Sequence, residues 1–225
     1  MPDQVRHDEP VNADVESALG AAPSAVRPAL QALWGLDEAL GKVLATGSEA
    51  MIGRIRLAWW REALERLDRE PAPREPVLEG VAAHLLPASL TGAALAEMEE
   101  GWAAILGDQP LEQVELDTYG AKRGGLLFGF TARLLGGALT GLAGAGEAWA
   151  LADLARHSSE PHDVEAALGA ARARNVPARW PKKLRPLGML AILAARDLAR
   201  GPERWEEAGA PPRRARMMRH RLTGW

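Results

Sequence analysis

The chain has no cysteine among its 225 residues. A disulfide framework, a thiolate nucleophile and a cysteine-based zinc site are therefore excluded. The absence is compatible with the cytoplasm, which is where we expect the protein. Aromatic residues are also scarce at 5%, with eight tryptophans against two phenylalanines and one tyrosine. Alanine and leucine must do most of the packing, which favours helices because both have high helix propensity and neither is β-branched.

Long hydrophobic runs are also absent. No segment approaches the roughly 18 uncharged apolar residues of a membrane-spanning helix. The longest candidate starts at Gly124 and is interrupted by Arg133. The opening MPDQVRHDEP lacks the apolar core of a signal peptide. The net charge is −3, whereas nucleic-acid-binding domains are usually basic, so we expect no nucleic-acid partner.

Composition divides the chain into three segments. Residues 1–22 are predicted to be a flexible acidic lead, residues 23–202 a helical domain, and residues 203–225 a basic tail. Apolar residues at helical spacing predict helices at about 24–46, 49–67, 77–86, 92–106, 114–135, 144–157, 162–173 and 183–200. No pair of strands competes with them. The sequence therefore predicts a single all-α domain, built as a multi-helix bundle around an alanine and leucine core.

The most informative segment is EAMIGRIRLAWWREALERL, residues 49–67. Its apolar residues recur at steps of three and four, which predicts an amphipathic helix. The stripe consists of Ile52, Ile55, Trp59, Trp60, Ala63, Leu64 and Leu67. Trp59 and Trp60 point about 100° apart on a helix. The favoured interpretation places both in the core, and the alternative gives Trp60 a place in a ligand groove.

This segment resembles a known family. The run GRIRLAWWREALERL is similar to the MRLQWWRDAL signature of squalene/phytoene-synthase-like proteins, and LWGLDEALGKVLATGSEAMIG fits the helix and loop before it. The later run LDTYGAKRGGLLFGFTARLLGG resembles that family's YAxxTAGxLxxLAARLLG helix. The resemblance covers about residues 23–200 and looks closest to the acid-poor branch that includes the mitochondrial complex I assembly factor. It implies an all-α isoprenoid-synthase-like bundle, shortened at its C-terminal end.

The acidic motifs of the family are incomplete here. Active members hold a prenyl diphosphate through Mg²⁺ ions bound by two DxxxD-type motifs on facing helices. The resemblance places the first at Asp37 with Glu38 beside it, but the residue four beyond Asp37 is Gly41. The second falls on ALADLARHSSEP, where Asp153 replaces an asparagine and His157 occupies the place of an aspartate. We therefore expect no metal site.

Basic residues are the remaining ligand candidates. The resemblance aligns Tyr119 with the tyrosine that opens the second family helix, and Arg156 with the arginine of the second acidic motif. Lys122 and Arg123 stand where small residues are expected. They can meet a diphosphate or form an ordinary solvated basic face. The glycine pair 124–125 predicts close helix packing or a kink.

Two further patterns have simpler explanations. The cluster of His157, Glu160, His162 and Asp163 is irregularly spaced around a proline, which favours a capped helix terminus over a Zn²⁺ or Mn²⁺ site. The GLAGAG run at 141–146 lacks the preceding strand of a dinucleotide-binding loop. It is therefore interpreted as a turn between two helices.

The tail PPRRARMMRHRLTGW, residues 211–225, holds five arginines and no acid. On a helix, Met218, Leu222 and Trp225 recur at steps of four and three. This pattern predicts a basic amphipathic helix that contacts an anionic membrane surface peripherally. The alternative is a C-terminal helix packed on an acidic face of the domain.

Two functions remain open. In the first, the protein is a divergent, non-catalytic family member that needs no cofactor, binds an isoprenoid, lipid or protein partner, and supports respiratory-complex assembly. Its location is then cytoplasmic, with peripheral contact at the inner face of a membrane. In the second, it is an active prenyl-diphosphate transferase with a remodelled site, in which Asp37, Glu38 and Asp153 hold Mg²⁺.

Overall fold

The computed structural model describes residues 12–46, 50–107 and 110–225. Over these ranges the chain is helical and contains no strand, which confirms the predicted all-α class. The α-helices in chain order are α1 Ala13–Gly20, α2 Arg27–Thr46, α3 Ala50–Arg66, α4 Pro76–His84, α5 Gly92–Ala96, α6 Met98–Ala104, α7 Gln113–Tyr119, α8 Leu126–Leu134, α9 Leu142–His157, α10 Pro161–Arg172, α11 Arg185–Arg200 and α12 Pro211–Thr223. None of these helices combines the length and apolar composition needed to cross a bilayer.

The first helix lies within the segment predicted to be a flexible lead. Residues 1–11 are outside the described ranges, but α1 is helical from Ala13, and the Asn12 side chain caps it by accepting the Asp14 backbone N–H at 3.0 Å. Val15 and Ala18 are buried where α1 packs on α11 and α12. The prediction of a flexible segment is therefore wrong for residues 13–20, because their apolar side chains are part of the common core.

The tryptophan helix α3 buries a narrower face than the sequence pattern predicted. Trp60 is 9% exposed, which confirms its predicted core position, whereas Trp59 is 46% exposed and packs edge-on against it. Ile52 and Ile55 are also exposed, so the predicted burial of these three residues is wrong. The helix turns a face centred on Leu57 towards the domain instead. Apolar residues occupy two faces of α3, and periodicity alone does not decide which face is covered.

The helices α7 and α8 are joined without a break by a π-helical segment, Gly120–Gly125. This segment packs closely on α9. A Cβ at Gly124 would lie 2.1 Å from the carbonyl oxygen of Gly146, and a Cβ at Gly146 would lie 2.2 Å from that of Gly124. Two backbones can approach this closely only without side chains, so the prediction of close packing at the glycine pair is confirmed for Gly124.

The C-terminal helix α12 packs on α11 and on α1. Arg213 is 4% exposed, and its guanidinium donates to Asp14 Oδ2 and to Asp197 Oδ1, both at 2.7 Å. The helix is therefore held on an acidic face of the domain, as the alternative interpretation of the tail predicted. Its opposite side carries Met218 and Leu222 into solvent.

Candidate functional site

The centre of the bundle is occupied by the side chain of Arg123, which is 6% exposed. The π-helical segment places this residue between α2, α6 and α9. Helix α6 approaches the backbone of Arg123 closely: a Cβ at Gly101 would lie 2.8 Å from the backbone nitrogen of Arg123. A buried guanidinium requires compensating charge, so its partners define the site.

Two carboxylates from different helices bind this guanidinium. Asp37 on α2 accepts from Nε at 3.1 Å and 3.2 Å and from Nη2 at 3.1 Å. Asp153 on α9 accepts from Nη1 at 2.7 Å. The same Nη1 also donates to the hydroxyl of Tyr119 one turn earlier. One cation thus joins Asp37 and Asp153, two of the three acidic residues that the sequence identified as metal-ligand candidates.

Aromatic rings enclose the cation. The Arg123 Cζ lies 4.3 Å from the ring centroid of Trp102, 4.9 Å from that of Trp149 and 5.4 Å from that of Tyr119. The Trp102 indole also donates from Nε1 to Asp37 Oδ1 at 3.1 Å. The arrangement combines a bidentate charge-assisted contact with cation–π contacts, both of which strengthen away from water.

Burial shifts the protonation equilibria of this cluster. Burial alone would lower the pKa of Arg123, but the neighbouring carboxylates of Asp37 and Asp153 outweigh it and hold that pKa well above its usual value. Burial also raises the pKa of the Tyr119 hydroxyl, against the opposing effect of the guanidinium. Arg123 is therefore a permanent cation, and Tyr119 remains a neutral phenol.

The indole of Trp102 also packs against Gly41, the residue four positions beyond Asp37. A Cβ at Gly41 would lie 2.8 Å from Trp102 Cη2. An aspartate there would need the indole to move, because real Cβ contacts are essentially never that short. The indole of Trp102 therefore packs against the position where an acidic motif that starts at Asp37 would have its second carboxylate.

The second acidic motif is incomplete at the surface end of α9. His157 is exposed, and its Nδ1 lies 3.6 Å from Asp153 Oδ1. Glu160 is the N-cap residue of α10. Asp163 is buried and accepts the backbone N–H of Leu111 at 2.9 Å. In the described part of the chain, no three acidic, histidine or cysteine side chains are grouped as a metal site.

Three other candidates lie outside the central cluster. Glu38 pairs with Lys42 on the outer side of α2 at 2.7 Å. Lys122 pairs with Glu97 and Glu100 of the α5–α6 region, each at 2.9 Å. Those contacts fit the solvated basic face that was one of its two interpretations. Trp60 is buried in α3 against Trp59.

Arg156 belongs to a second, neighbouring network. It donates to the carbonyl oxygen of Glu206, lies 3.5 Å from Asp197, and stacks 5.1 Å from the ring of Trp205. A cavity of about 30 Å³ lies between this network and Asp153. That volume holds one or two waters at most, whereas pockets for drug-sized ligands measure about 300–1,000 Å³.

Sequence reasoning missed the aromatic partners of the site. Neither Trp102 nor Trp149 was among the candidate site residues. The spacing of the sequence could have indicated that Arg123 is buried. Arg123 stands four residues after Tyr119 and four before Leu127, both of which are buried. A polar residue in step with buried neighbours indicates a buried polar partner elsewhere.

The model of the squalene/phytoene synthase family matches residues 14–174. This range includes Asp37, Arg123 and Asp153. No curated protein and no solved structure matches the chain.

Proposed function

Because the chain belongs to the squalene/phytoene synthase family, we propose that it is a divergent member that has lost prenyl-diphosphate chemistry. It works as a binding protein for an isoprenoid, lipid or protein partner, and it supports respiratory-complex assembly. It is cytoplasmic, with contact at the inner face of a membrane. The observation that carries the proposal is the guanidinium of Arg123 between Asp37 and Asp153.

A buried arginine between these carboxylates opposes metal binding. Ionising a prenyl diphosphate leaves a highly charged group, which Mg²⁺ ions would neutralise while carboxylates hold the metals. Here both carboxylates already have a permanent cation as partner. Freeing them would break a buried ion pair, which costs about 3–5 kcal/mol.

The space beside the cation is also filled. Trp34, Phe128 and Trp149 meet with ring centroids 5.2–6.5 Å apart. The Trp34 indole donates to the hydroxyl of Thr131 at 3.1 Å, so its orientation is fixed. A C15 or C20 chain in the middle of this bundle would have to displace the three rings. Binding at the outer surface is therefore favoured over binding at the centre.

The outer surface offers an apolar face on α3. Met51 is 68% exposed, Ile55 63% and Trp59 46%, and they follow one another along one side of the helix with Ile52. Contiguous exposed apolar residues of this kind are typical of interaction sites. This face is where the proposal places a protein partner.

Turnover tests the loss of chemistry. The full chain should release no pyrophosphate and form neither squalene nor phytoene from C15 or C20 prenyl diphosphates with Mg²⁺, in parallel with an active squalene synthase as the positive control. The alternative, an active transferase that uses Asp37, Glu38 and Asp153, predicts Mg²⁺-dependent product. It would be established by product that disappears in Asp37→Asn and Asp153→Asn while both variants keep the wild-type circular dichroism spectrum.

Genetic complementation tests the assembly role. Deleting the gene in its own host should lower the amount of an assembled respiratory complex on native gels, and the wild-type chain should restore it. A chain with Ile55→Ser and Trp59→Ser should restore less, whereas Arg69→Gln, on an exposed polar part of the surface, should restore fully. Unchanged complex levels in the deletion strain would contradict the assembly role.

A further inference from the structure

The helix α12 has a buried face and an exposed face. Its inner face consists of Arg213, Met217 and His220, which are all buried. Arg213 bridges Asp14 and Asp197, so the helix is fixed to the domain by charge as well as by apolar packing. The outer face is therefore presented by a helix that is held on the domain.

The outer face is an apolar stripe. Met218 is 52% exposed and Leu222 72%, and Trp225, two residues beyond the helix end at Thr223, is 60% exposed. At about 100° per residue, Ala215, Met218 and Leu222 fall within an arc of about 60° directly opposite the buried face. Exposed apolar residues in line on a helix are costly in water unless another phase or partner covers them.

Arginines border this stripe on both sides. Arg214 and Arg221 lie along one edge and Arg216 and Arg219 along the other, and all four are exposed. Across the described ranges, none of their side chains forms an ion pair. The segment 211–225 contributes no acid. The positive charge on this face is therefore uncompensated.

The basic surface continues beyond the helix. The backbone N–H of Trp180 donates to the carbonyl oxygen of Gly224 at 2.9 Å, which brings the 179–185 segment against the end of α12. Arg179 stacks on the ring of Trp225 at 5.4 Å, and Lys182, three residues further along the same segment, is exposed. Arg185 donates to the carbonyl oxygens of Arg221 and Leu222, each at 2.9 Å. Two separate parts of the chain thus place cations around one apolar stripe.

We propose that this outer face of α12 binds the surface of an anionic lipid bilayer, with the helix lying in the plane of the membrane. The Met218, Leu222 and Trp225 side chains enter the boundary between headgroups and acyl chains, and the arginines on either side contact lipid phosphates. A nucleic acid would satisfy the arginines but would leave the apolar stripe uncovered. The assignment rests on the membrane contact of the proposed function and names the surface that makes it. It is independent of the loss of catalysis, since it concerns the surface and not the bundle centre.

Vesicle co-sedimentation tests this surface. The full chain should sediment with phosphatidylcholine vesicles that contain about one third phosphatidylglycerol, and not with phosphatidylcholine alone. Binding should weaken with added salt, because exposed charges are screened over about 8–10 Å at physiological ionic strength. The double variant Arg219→Gln/Arg221→Gln should bind about 25-fold more weakly, at about fivefold for each arginine. Met218→Ser/Leu222→Ser should also lose most of its binding.

Matched variants elsewhere keep the result specific. Arg69→Gln/Arg74→Gln removes two exposed arginines from another face, and Met51→Ser/Ile55→Ser removes two exposed apolar residues from α3. Both should bind vesicles like the wild type. All four variants change exposed side chains and should keep the wild-type melting temperature.

Three results would overturn the proposal. One is absence of sedimentation with anionic vesicles at low salt. Another is binding that the α3 pair abolishes and the α12 pairs leave intact. The third is tighter binding to a random RNA than to the vesicles, with no loss in Met218→Ser/Leu222→Ser.

Discussion

Replacing Arg123 by methionine removes the cation at the centre of the bundle while keeping a long, flexible side chain. Asp37 and Asp153 then face each other without a counter-charge. Asp37 is 4% exposed, so bulk water does not solvate it. Removing one partner of a buried ion pair costs about 3–5 kcal/mol. Against a typical total stability of about 5–15 kcal/mol, this is a large fraction of the free energy of unfolding.

Urea unfolding followed by far-UV circular dichroism measures that loss. Lys122→Met is the matched control, because Lys122 is the neighbouring cation and pairs with two glutamates at the surface. It should cost less than about 1 kcal/mol. Adding Asp37→Asn and Asp153→Asn to Arg123→Met removes the uncompensated charges and should recover much of the loss.

The pattern across the three variants decides whether the reasoning holds. Arg123→Met within about 1 kcal/mol of wild type would refute it, since a buried pair cannot be broken so cheaply. A triple variant no more stable than Arg123→Met would refute it as well. If Arg123→Met does not fold, recovery of soluble, helical protein in the triple variant would support the ion-pair explanation, and failure to recover it would refute that explanation.

Three further predictions concern packing and protonation. Gly41→Ala should be destabilised by about 1–3 kcal/mol, because its Cβ meets the indole of Trp102. Gly35→Ala is the control: it has open space around it and should be about 0.5–1 kcal/mol more stable than the wild type. Equal melting temperatures of the two variants would contradict the close contact at Gly41. Trp60→Ala should cost about 3–5 kcal/mol and Trp59→Ala much less, and equal losses in urea unfolding would contradict their different burial. Burial lowers the pKa of His220, so the unfolded state takes up this proton first as the pH falls, and stability should decline from about pH 6.5 downwards. A scan of melting temperature from about pH 7.5 to about pH 5 should show a smaller decline in His220→Gln, and an identical decline in both proteins would contradict this assignment.

The helices could be predicted from the sequence because their signals are local. Apolar residues at steps of three and four, and capping residues such as Thr91, mark them. The Thr91 hydroxyl accepts the Ala94 backbone N–H at 3.2 Å, as a cap should. The predicted helices near 144–157, 162–173 and 183–200 are confirmed by α9, α10 and α11.

Which face of a helix is covered could not be predicted with the same certainty. Ile55 and Trp59 are as apolar as Leu57 and Trp60, and only the packing of α3 on the α5–α6 region distinguishes them. The contact between Gly41 and Trp102 was also not predictable, because the two residues are far apart in sequence. Their contact depends on how α2 and α6 pack, which no local pattern specifies.

Some residues of the central site could be predicted from the sequence. Asp37 and Asp153 were identified through the family's acidic motifs, and Tyr119 and Arg123 through its second helix. The sequence left open whether Arg123 meets a ligand or solvent, and the structure instead turns it onto the two carboxylates. Arg123 is thus the common ion-pair partner of both aspartates.

The most direct test of the central role of Arg123 is calorimetric titration with an unreactive C15 prenyl thiodiphosphate, in the presence and absence of Mg²⁺. If the guanidinium takes the place of the metal ions, the wild-type chain shows no Mg²⁺-dependent binding. Mg²⁺-dependent binding that disappears in both Asp37→Asn and Asp153→Asn would show that the two carboxylates still hold metal and would contradict the account.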